Sequence, residues 1–294
     1  MYRGRFAPSP TGEVHFGTLV AAVASYLQAV TAQGIWKLRI DDIDCTRTIK
    51  HADTHIIKTL EDYGFEWHGE IYYQSKNIAL YQDALTHLID ESLVFPCLCS
   101  RKLLAEQFSP SHHSLYPGTC RKRPLPEQAE HALRLKSQNH HITFNDEVMG
   151  TQQQNMQNDC GDFIIKRRDG LFAYQLAVVV DDAEQGITEV VRGGDLLDST
   201  PRQIYLQQLL GYARPAYLHL PVAVDKDGQK LSKSTGAASI KHLTPAKNLI
   251  HALSFLGQKP PGELKHDALN DIWCWAIKHW NIKSIPKQKT IAMN

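Results

Sequence analysis

The feature that most limits how this chain folds lies near its start, where a run ending in Arg5-Phe6-Ala7 meets Pro8-Ser9-Pro10-Thr11-Gly12. Two prolines and a glycine in five residues break either regular structure, so a short strand must end there in a loop. From residue 17 to about 32, Leu19, Val20, Val23, Leu27 and Val30 recur at three- and four-residue intervals, which predicts a helix with one buried face. Residues 35–40 read as a second strand. A strand, a tight loop and a helix in this order aim backbone N–H groups and the positive helix end at an anion such as phosphate. His15 can donate a hydrogen bond to that anion. Taken alone, the turn is more simply a tight strand-to-helix connection.

Farther on, helical periods over 56–63, 78–89 and about 200–210 alternate with apolar runs at 162–166, 176–180 and 217–222 that read as strands, which predicts the α/β class. Residues of about 97–160 are rich in His, Gln, Asn and Pro with weak periodicity and are expected to form an insertion rather than to continue the sheet. After Pro260-Pro261, Ile272, Trp273, Ala276, Ile277 and Trp280 stand at helical spacing and precede Lys283, Lys287 and Lys289. The expected layout is a main domain over 1–256, carrying the insertion, and a short helical, basic appendage over 257–294.

The balance of 32 Lys+Arg against 31 Asp+Glu leaves a formal charge of +1, so any contact with nucleic acid must be local. Hydrophobic residues at 43% and charged residues at 21% exclude disorder, collagen and a disulfide scaffold. The opening Met-Tyr-Arg-Gly-Arg-Phe lacks the apolar stretch of an export signal, and the longest apolar run, 176–180, is too short to span a bilayer. A cytoplasmic protein without a membrane partner is expected, with its six cysteines in a reducing compartment where clustered thiols bind metal more often than they pair.

Cys97-Leu98-Cys99 and Cys120, with Tyr116 four residues before the last, form such a cluster. Three thiolates and a fourth donor can close a tetrahedral Zn²⁺ shell, a structural role suited to a small insertion. His112 and His113 are chemically more usual fourth ligands than a phenol. Cys45, Cys160 and Cys274 read as ordinary thiols. A further motif, Lys230-Leu231-Ser232-Lys233-Ser234, follows Asp225-Lys226-Asp227-Gly228 and can clamp a polyphosphate during displacement. By itself it reads as a solvated basic turn; together with the first motif it is hard to obtain by chance.

His15-Phe16-Gly17-Thr18 resembles the HIGH motif, and Lys230 to Ser234 the KMSKS motif, of class I aminoacyl-tRNA synthetases. Arg5 to Gly12, the Asp181-Asp182 region, Val191-Arg192-Gly193-Gly194-Asp195 and Thr200-Pro201-Arg202-Gln203 resemble glutamyl-tRNA synthetases more narrowly, over about 3–50 and 162–250. A full glutamyl-tRNA synthetase continues into a large anticodon-binding region for which no residues are left here. The resemblance therefore narrows to a short paralogous family, the glutamyl-Q tRNA(Asp) synthetases, which residues 162–176 match especially well.

That resemblance implies a Rossmann-type catalytic domain that activates L-glutamate with ATP and Mg²⁺. The glutamyl-adenylate would then pass glutamate to the queuosine base in the anticodon of tRNA(Asp). It implies ATP at Gly12, His15, Gly17 and Lys233, with His15, Thr18, Lys230 and Lys233 acting in the chemistry. Arg5, Phe6, Ala7, Pro8 and Ser9 would line the amino-acid site, Tyr174 would offer its hydroxyl, and Asp41 would face the ammonium. A substrate with two carboxylates and one ammonium needs two cationic forks and an acidic partner, and Arg5 and Arg192 are suited to be the forks. The resemblance places the fourth zinc ligand at Tyr116, and a monomer is expected. Two positions depart from the pattern. Asp41 stands where the family has the longer glutamate, and Thr18 replaces the last histidine of the motif. Two alternatives remain beside this reading: a truncated synthetase charging the tRNA 3′ end, and a tRNA-binding module without chemistry.

Overall fold

The structure, a computed structural model, describes residues 1–100, 102–104, 115–122, 130–229 and 240–293. Strands β1 (Arg3–Phe6) and β2 (Ile35–Ile40) flank helix α1 (Phe16–Thr31) and pair in parallel, Arg3 opposite Ile35 and Phe6 opposite Leu38. The short β3 (Tyr72–Tyr73) extends this sheet beyond β2, with α2 (Ala52–Asp62) before it and α3 (Ile78–Asp90) after it. There follow β4 (Val94–Cys97), β5 (Ala132–Leu135), β6 (His141–Asp146), β7 (Gly150–Asn155) and β8 (Phe163–Lys166). Next come α4 (Tyr174–Glu184), β9 (Glu189–Gly193), α5 (Thr200–Leu209), β10 (Ala216–Leu220) and β11 (Val222–Val224). Helices α6 (Pro245–Phe255) and α7 (Leu269–His279) and strand β12 (Thr290–Ala292) complete the described chain.

A second sheet has the order β7-β6-β10-β9, in which only β7 is antiparallel. Its β9 edge meets β1: the Thr188 N–H donates to the Arg3 carbonyl at 2.9 Å, and the Arg3 N–H donates to Thr188 Oγ1 at 2.9 Å. The chain leaves β1 toward β2 on one side and returns to β9 on the other. Strand order therefore reverses beside β1, and ligand crevices in open parallel sheets lie at the carboxyl ends flanking such a switch point. Those ends are Phe6 and Gly193.

Helix α1 packs against β1, β2 and β9 and is covered by α6 and α7. It is buried on more than the one face its leucines and valines predict, because Ala22, Ala24 and Ala29 are fully enclosed and let neighbouring elements approach closely. Residues 176–180 do not form the expected strand but lie in α4, where Leu176, Ala177, Val178, Val179 and Val180 are all buried. A helix enclosed on every side loses its 3.6-residue pattern, and burial overrides the strand preference of valine.

The segment of about 97–160 differs from its expectation too, since β6 continues the parallel sheet and β5 joins β4 to β8. In β6 the buried Ile142, Phe144 and Asp146 alternate with exposed His141, Thr143 and Asn145, and β7 is a polar edge strand, so the hydrophobic signal is thin. Residues beyond 257 are built into the main core. The Trp273 ring lies 5.0 Å from both Tyr26 and Phe65, its Nε1 donates to the Tyr63 carbonyl at 2.9 Å, and β12 pairs with β11. Among the described residues no helix is long and apolar enough to cross a membrane.

Candidate active site

At the switch point a cleft of about 510 Å³ opens between the ends of β1 and β9 and the start of α1. It brings together Arg5, Phe6, Ala7, Pro8, Ser9, His15, Gly17 and Thr18 with Asp41, Tyr174 and Arg192. Gly12 lines a small adjoining hollow with Pro8, Ser9, His15 and Thr18. Lys230 and Lys233 lie outside the described residues.

His15 is the N-cap of α1: its Nδ1 accepts the Thr18 N–H at 3.4 Å, and its Nε2 lies 3.0 Å from Thr18 Oγ1. With Nδ1 as acceptor the ring proton sits on Nε2, so the Thr18 hydroxyl oxygen accepts it. The substituted last position of the motif thus braces its first. Gly12 has φ 136°, a backbone conformation that favours glycine, and a Cβ at Gly17 would approach the His15 ring to 3.4 Å. Helix α1 has no acidic residue in its first turn, and its positive end faces the cleft.

Arg5 reaches Asp182 of α4 with Nε at 3.0 Å and Nη2 at 3.3 Å. Asp182 also accepts from Arg39 Nη1 at 2.7 Å, while Arg39 Nε donates to Asp41 at 2.7 Å and Nη1 to Gln185 at 3.1 Å. Burial opposes the charge on Asp182, yet the Arg5 and Arg39 guanidiniums outweigh it and hold the carboxyl below the usual range. Asp41 goes the other way: burial pushes it up to about 6, against the pull of Arg39 and with the help of Asp181. Asp181 is satisfied by the hydroxyls of Tyr81 (2.6 Å) and Tyr72 (3.1 Å) and the amide of Gln74 (2.6 Å).

Arg192 on β9 donates from Nη1 to the Tyr174 hydroxyl at 3.3 Å, from Nη2 to Thr200 Oγ1 at 2.8 Å and from Nε to His219 Nε2 at 3.1 Å. The two candidate forks, Arg5 and Arg192, are only 3% and 6% exposed, so their charge acts in a site largely shielded from water. Thr200 lies in the Thr200–Gln203 run and meets Arg192 through its hydroxyl, whereas Asp146, His219 and Arg39 join the network only through partners on other elements, which no local motif signals.

A larger hollow of about 880 Å³ shares Ser9, Asp41, Arg47 and Tyr174 with the cleft and continues past Arg167 and Arg168 to Cys99 and Ser100. Behind it the Cys97, Cys99 and Cys120 sulfurs lie within 4.8 Å of one another, with Cys99 and Cys120 3.6 Å apart. The Tyr116 hydroxyl stands 3.4 Å from Cys97 Sγ and 3.8 Å from Cys99 Sγ. Tetrahedral Zn–S bonds of about 2.3 Å put sulfurs roughly 3.8 Å apart, so this donor set fits such an ion. Arg134 donates to Cys97 Sγ at 3.2 Å and lies 4.0 Å over the Tyr116 ring, a charge suited to a shell rich in thiolate. His112 and His113 lie outside the described residues.

A parallel sheet with this switch point, its first helix capped by a motif histidine and two buried arginines at its mouth, is the arrangement of a class I tRNA synthetase catalytic domain. Residues 1–262 match the family described as tRNA synthetases class I (E and Q), catalytic domain, and the chain belongs to it. Within that class its relatives are specific. A protein of Aromatoleum aromaticum named glutamyl-Q tRNA(Asp) synthetase is 49% identical over 288 residues, covering 98% of this chain and 91% of its own length. A protein of the same name from Dechloromonas aromatica is 49% identical over 298 residues, covering 99% and 98%. The crystal structure of the glutamate-tRNA synthetase from Elizabethkingia anophelis superposes with a TM-score of 0.82 at 24% identity, over 100% of this chain and 68% of that one, and shares its fold.

Proposed function

We propose that this protein activates L-glutamate with ATP and transfers it to the queuosine base of tRNA(Asp). The observation that carries the reading is the single cleft in which buried Arg5, Arg192 and Asp41 meet the capped start of α1. Two guanidiniums suit the two carboxylates of glutamate, and an acidic group suits its ammonium. The names of its relatives supply the tRNA partner.

In this mechanism Arg5 and Arg192 orient glutamate, with the Tyr174 hydroxyl beside the second fork. The α-carboxylate, already ionised, needs no general base. Its oxygen bonds the α-phosphorus as the bond to the pyrophosphate oxygen breaks, and pyrophosphate leaves. The amides at the start of α1, the motif lysines Lys230 and Lys233, and His15 once its Nε2–H turns from Thr18 Oγ1 to the nucleotide hold the phosphates, so that alignment and charge stabilisation lower the barrier. Mg²⁺, when bound with the nucleotide, supplies further neutralisation of the phosphate charge. A hydroxyl of the queuosine cyclopentenediol then attacks the acyl carbon, and AMP leaves. Cys97, Cys99, Cys120 and Tyr116 would hold one Zn²⁺ as a structural ion, since none of them lines the first cleft.

The test is transfer of labelled glutamate, with ATP, to tRNA(Asp) purified from cells with and without queuosine. Labelling of the queuosine-bearing tRNA alone is expected. Label on both, removed with the terminal nucleoside, would assign the chain to 3′-end charging, and the absence of both labelling and ATP turnover would leave a tRNA-binding module.

A further inference from the structure

Arg192 meets His219 directly across the parallel β9–β10 register, and its aim is set by groups that no motif signals. Behind His219, at the end of β6, Asp146 Oδ2 lies 2.6 Å from Nδ1. Asp146 Oδ1 accepts the Val148 and Met149 amides at 3.1 Å and 2.8 Å, and the His219 amide approaches both oxygens at 3.2 Å and 3.1 Å. Neither side chain has any solvent exposure.

Thr200 Oγ1, which can donate or accept, also lies 3.1 Å from His219 Nε2, and one arrangement satisfies all of these contacts together. A guanidinium carries donors only, so the His219 Nε2 that receives Arg192 Nε must present a lone pair. The ring proton then sits on Nδ1, where the Asp146 carboxylate accepts it. Burial, together with the Arg192 charge, lowers the His219 pKa, in keeping with a neutral ring.

We propose that Asp146 and His219 are positioning residues for Arg192: Asp146 fixes the Nδ1–H tautomer of His219, whose Nε2 lone pair holds the guanidinium toward the substrate carboxylate. This rests on the reading of Arg192 as a glutamate fork. The relay spans β6, β10 and β9, so it ties the cleft to the segment between the cysteine cluster and the second half of the sheet.

Asp146→Asn tests it. Its carbonyl oxygen stays with the backbone amides, which puts the NH₂ against Nδ1. The ring proton then moves to Nε2, where it opposes the Arg192 Nε–H and competes with Arg192 Nη2 for Thr200 Oγ1, so the guanidinium loses its hold either way. In glutamate-dependent ATP–pyrophosphate exchange with tRNA present, the glutamate KM is expected to rise on the order of tenfold, the scale of one charge-assisted hydrogen bond. The ATP KM should stay within about twofold of the parent value.

Equal rises in both KM values, or a loss of heat stability with unchanged glutamate KM, would show a structural role only and overturn the proposal. Arg192→Ala separates the layers. If it raises glutamate KM while Asp146→Asn does not, the positioning role alone fails; if it has no effect, the reading of Arg192 fails and takes the positioning role with it. Should Asp146→Asn not fold, long-range ¹H–¹⁵N spectra of the ¹⁵N-histidine-labelled parent protein decide the matter, with His219→Gln assigning the signal. A proton on Nδ1 is expected, and a proton on Nε2 overturns the proposal.

Discussion

Asp182 is the shared counter-ion of two buried arginines, and Asp182→Asn should damage both stability and substrate binding. The carboxylate accepts from Arg5 at 3.0 Å and 3.3 Å and from Arg39 at 2.7 Å, with 7% of its side chain exposed. Breaking a buried pair by removing one partner costs about 3–5 kcal/mol. Asparagine keeps one acceptor oxygen, and Arg39 keeps Asp41 and Gln185, so the lower end, about 3 kcal/mol, applies here. An unfolding entropy of about 2.1 cal/mol/K per residue gives roughly 0.6 kcal/mol/K for a chain of 294 residues. The expected drop in Tm is therefore about 5 °C by calorimetry at neutral pH. The sign with pH follows from the depressed carboxyl: its folded pKa lies below the unfolded one, so the stabilisation is present above the ordinary carboxylate range and is lost as pH falls through the folded value. The variant should accordingly lose part of the acid-side slope of Tm. It should also raise glutamate KM, since Arg5 loses its bidentate anchor. A Tm within 1 °C of the parent, with unchanged KM, would refute the view that Asp182 holds these guanidiniums.

The pH profile of kcat/KM for glutamate should fall as pH drops through about 6, where Asp41 takes up a proton and no longer pairs with an ammonium; Asp41→Asn should abolish that inflection. Its raised pKa has the opposite sign for folding, because the native state binds that proton more tightly than the unfolded chain and stability declines as pH rises from about 4 to about 6. Elemental analysis is expected to find one zinc per chain and a large loss in Cys120→Ser; full occupancy in that variant would sink the proposed shell. Lys233→Ala should slow pyrophosphate exchange by about 10², and parent-like exchange would remove that lysine from the mechanism. Trp273→Ala should cost about 3–5 kcal/mol in denaturant unfolding, whereas a cost below about 1 kcal/mol would mark residues beyond 257 as an appendage after all.

What the sequence determined by itself is local. Pro8, Pro10 and Gly12 end β1 wherever the rest of the chain goes, the spacing of Leu19 to Val30 makes α1, and His15 stands where a cap must stand. The cysteine cluster is legible for the same reason, since Cys97, Cys99 and Cys120 lie within one short stretch, whereas Tyr116 as a fourth donor comes only through resemblance. Arg5 and Arg192 could be paired only through resemblance, because nothing in either neighbourhood points to the other. Tertiary structure decided everything that depends on enclosure or on strand order. The valines of α4 read as a strand until both sides of the helix are seen to be covered, and α7 reads as an appendage until Trp273 is placed against Tyr26 and Phe65. Asp146 has no meaning in its own stretch of polar residues, and its partner His219 lies 73 positions away. Only the parallel register of β6, β10 and β9 carries the carboxylate, the imidazole and the guanidinium to one line. Hydrogen bonding at that line is a property of the packed sheet, not of any segment.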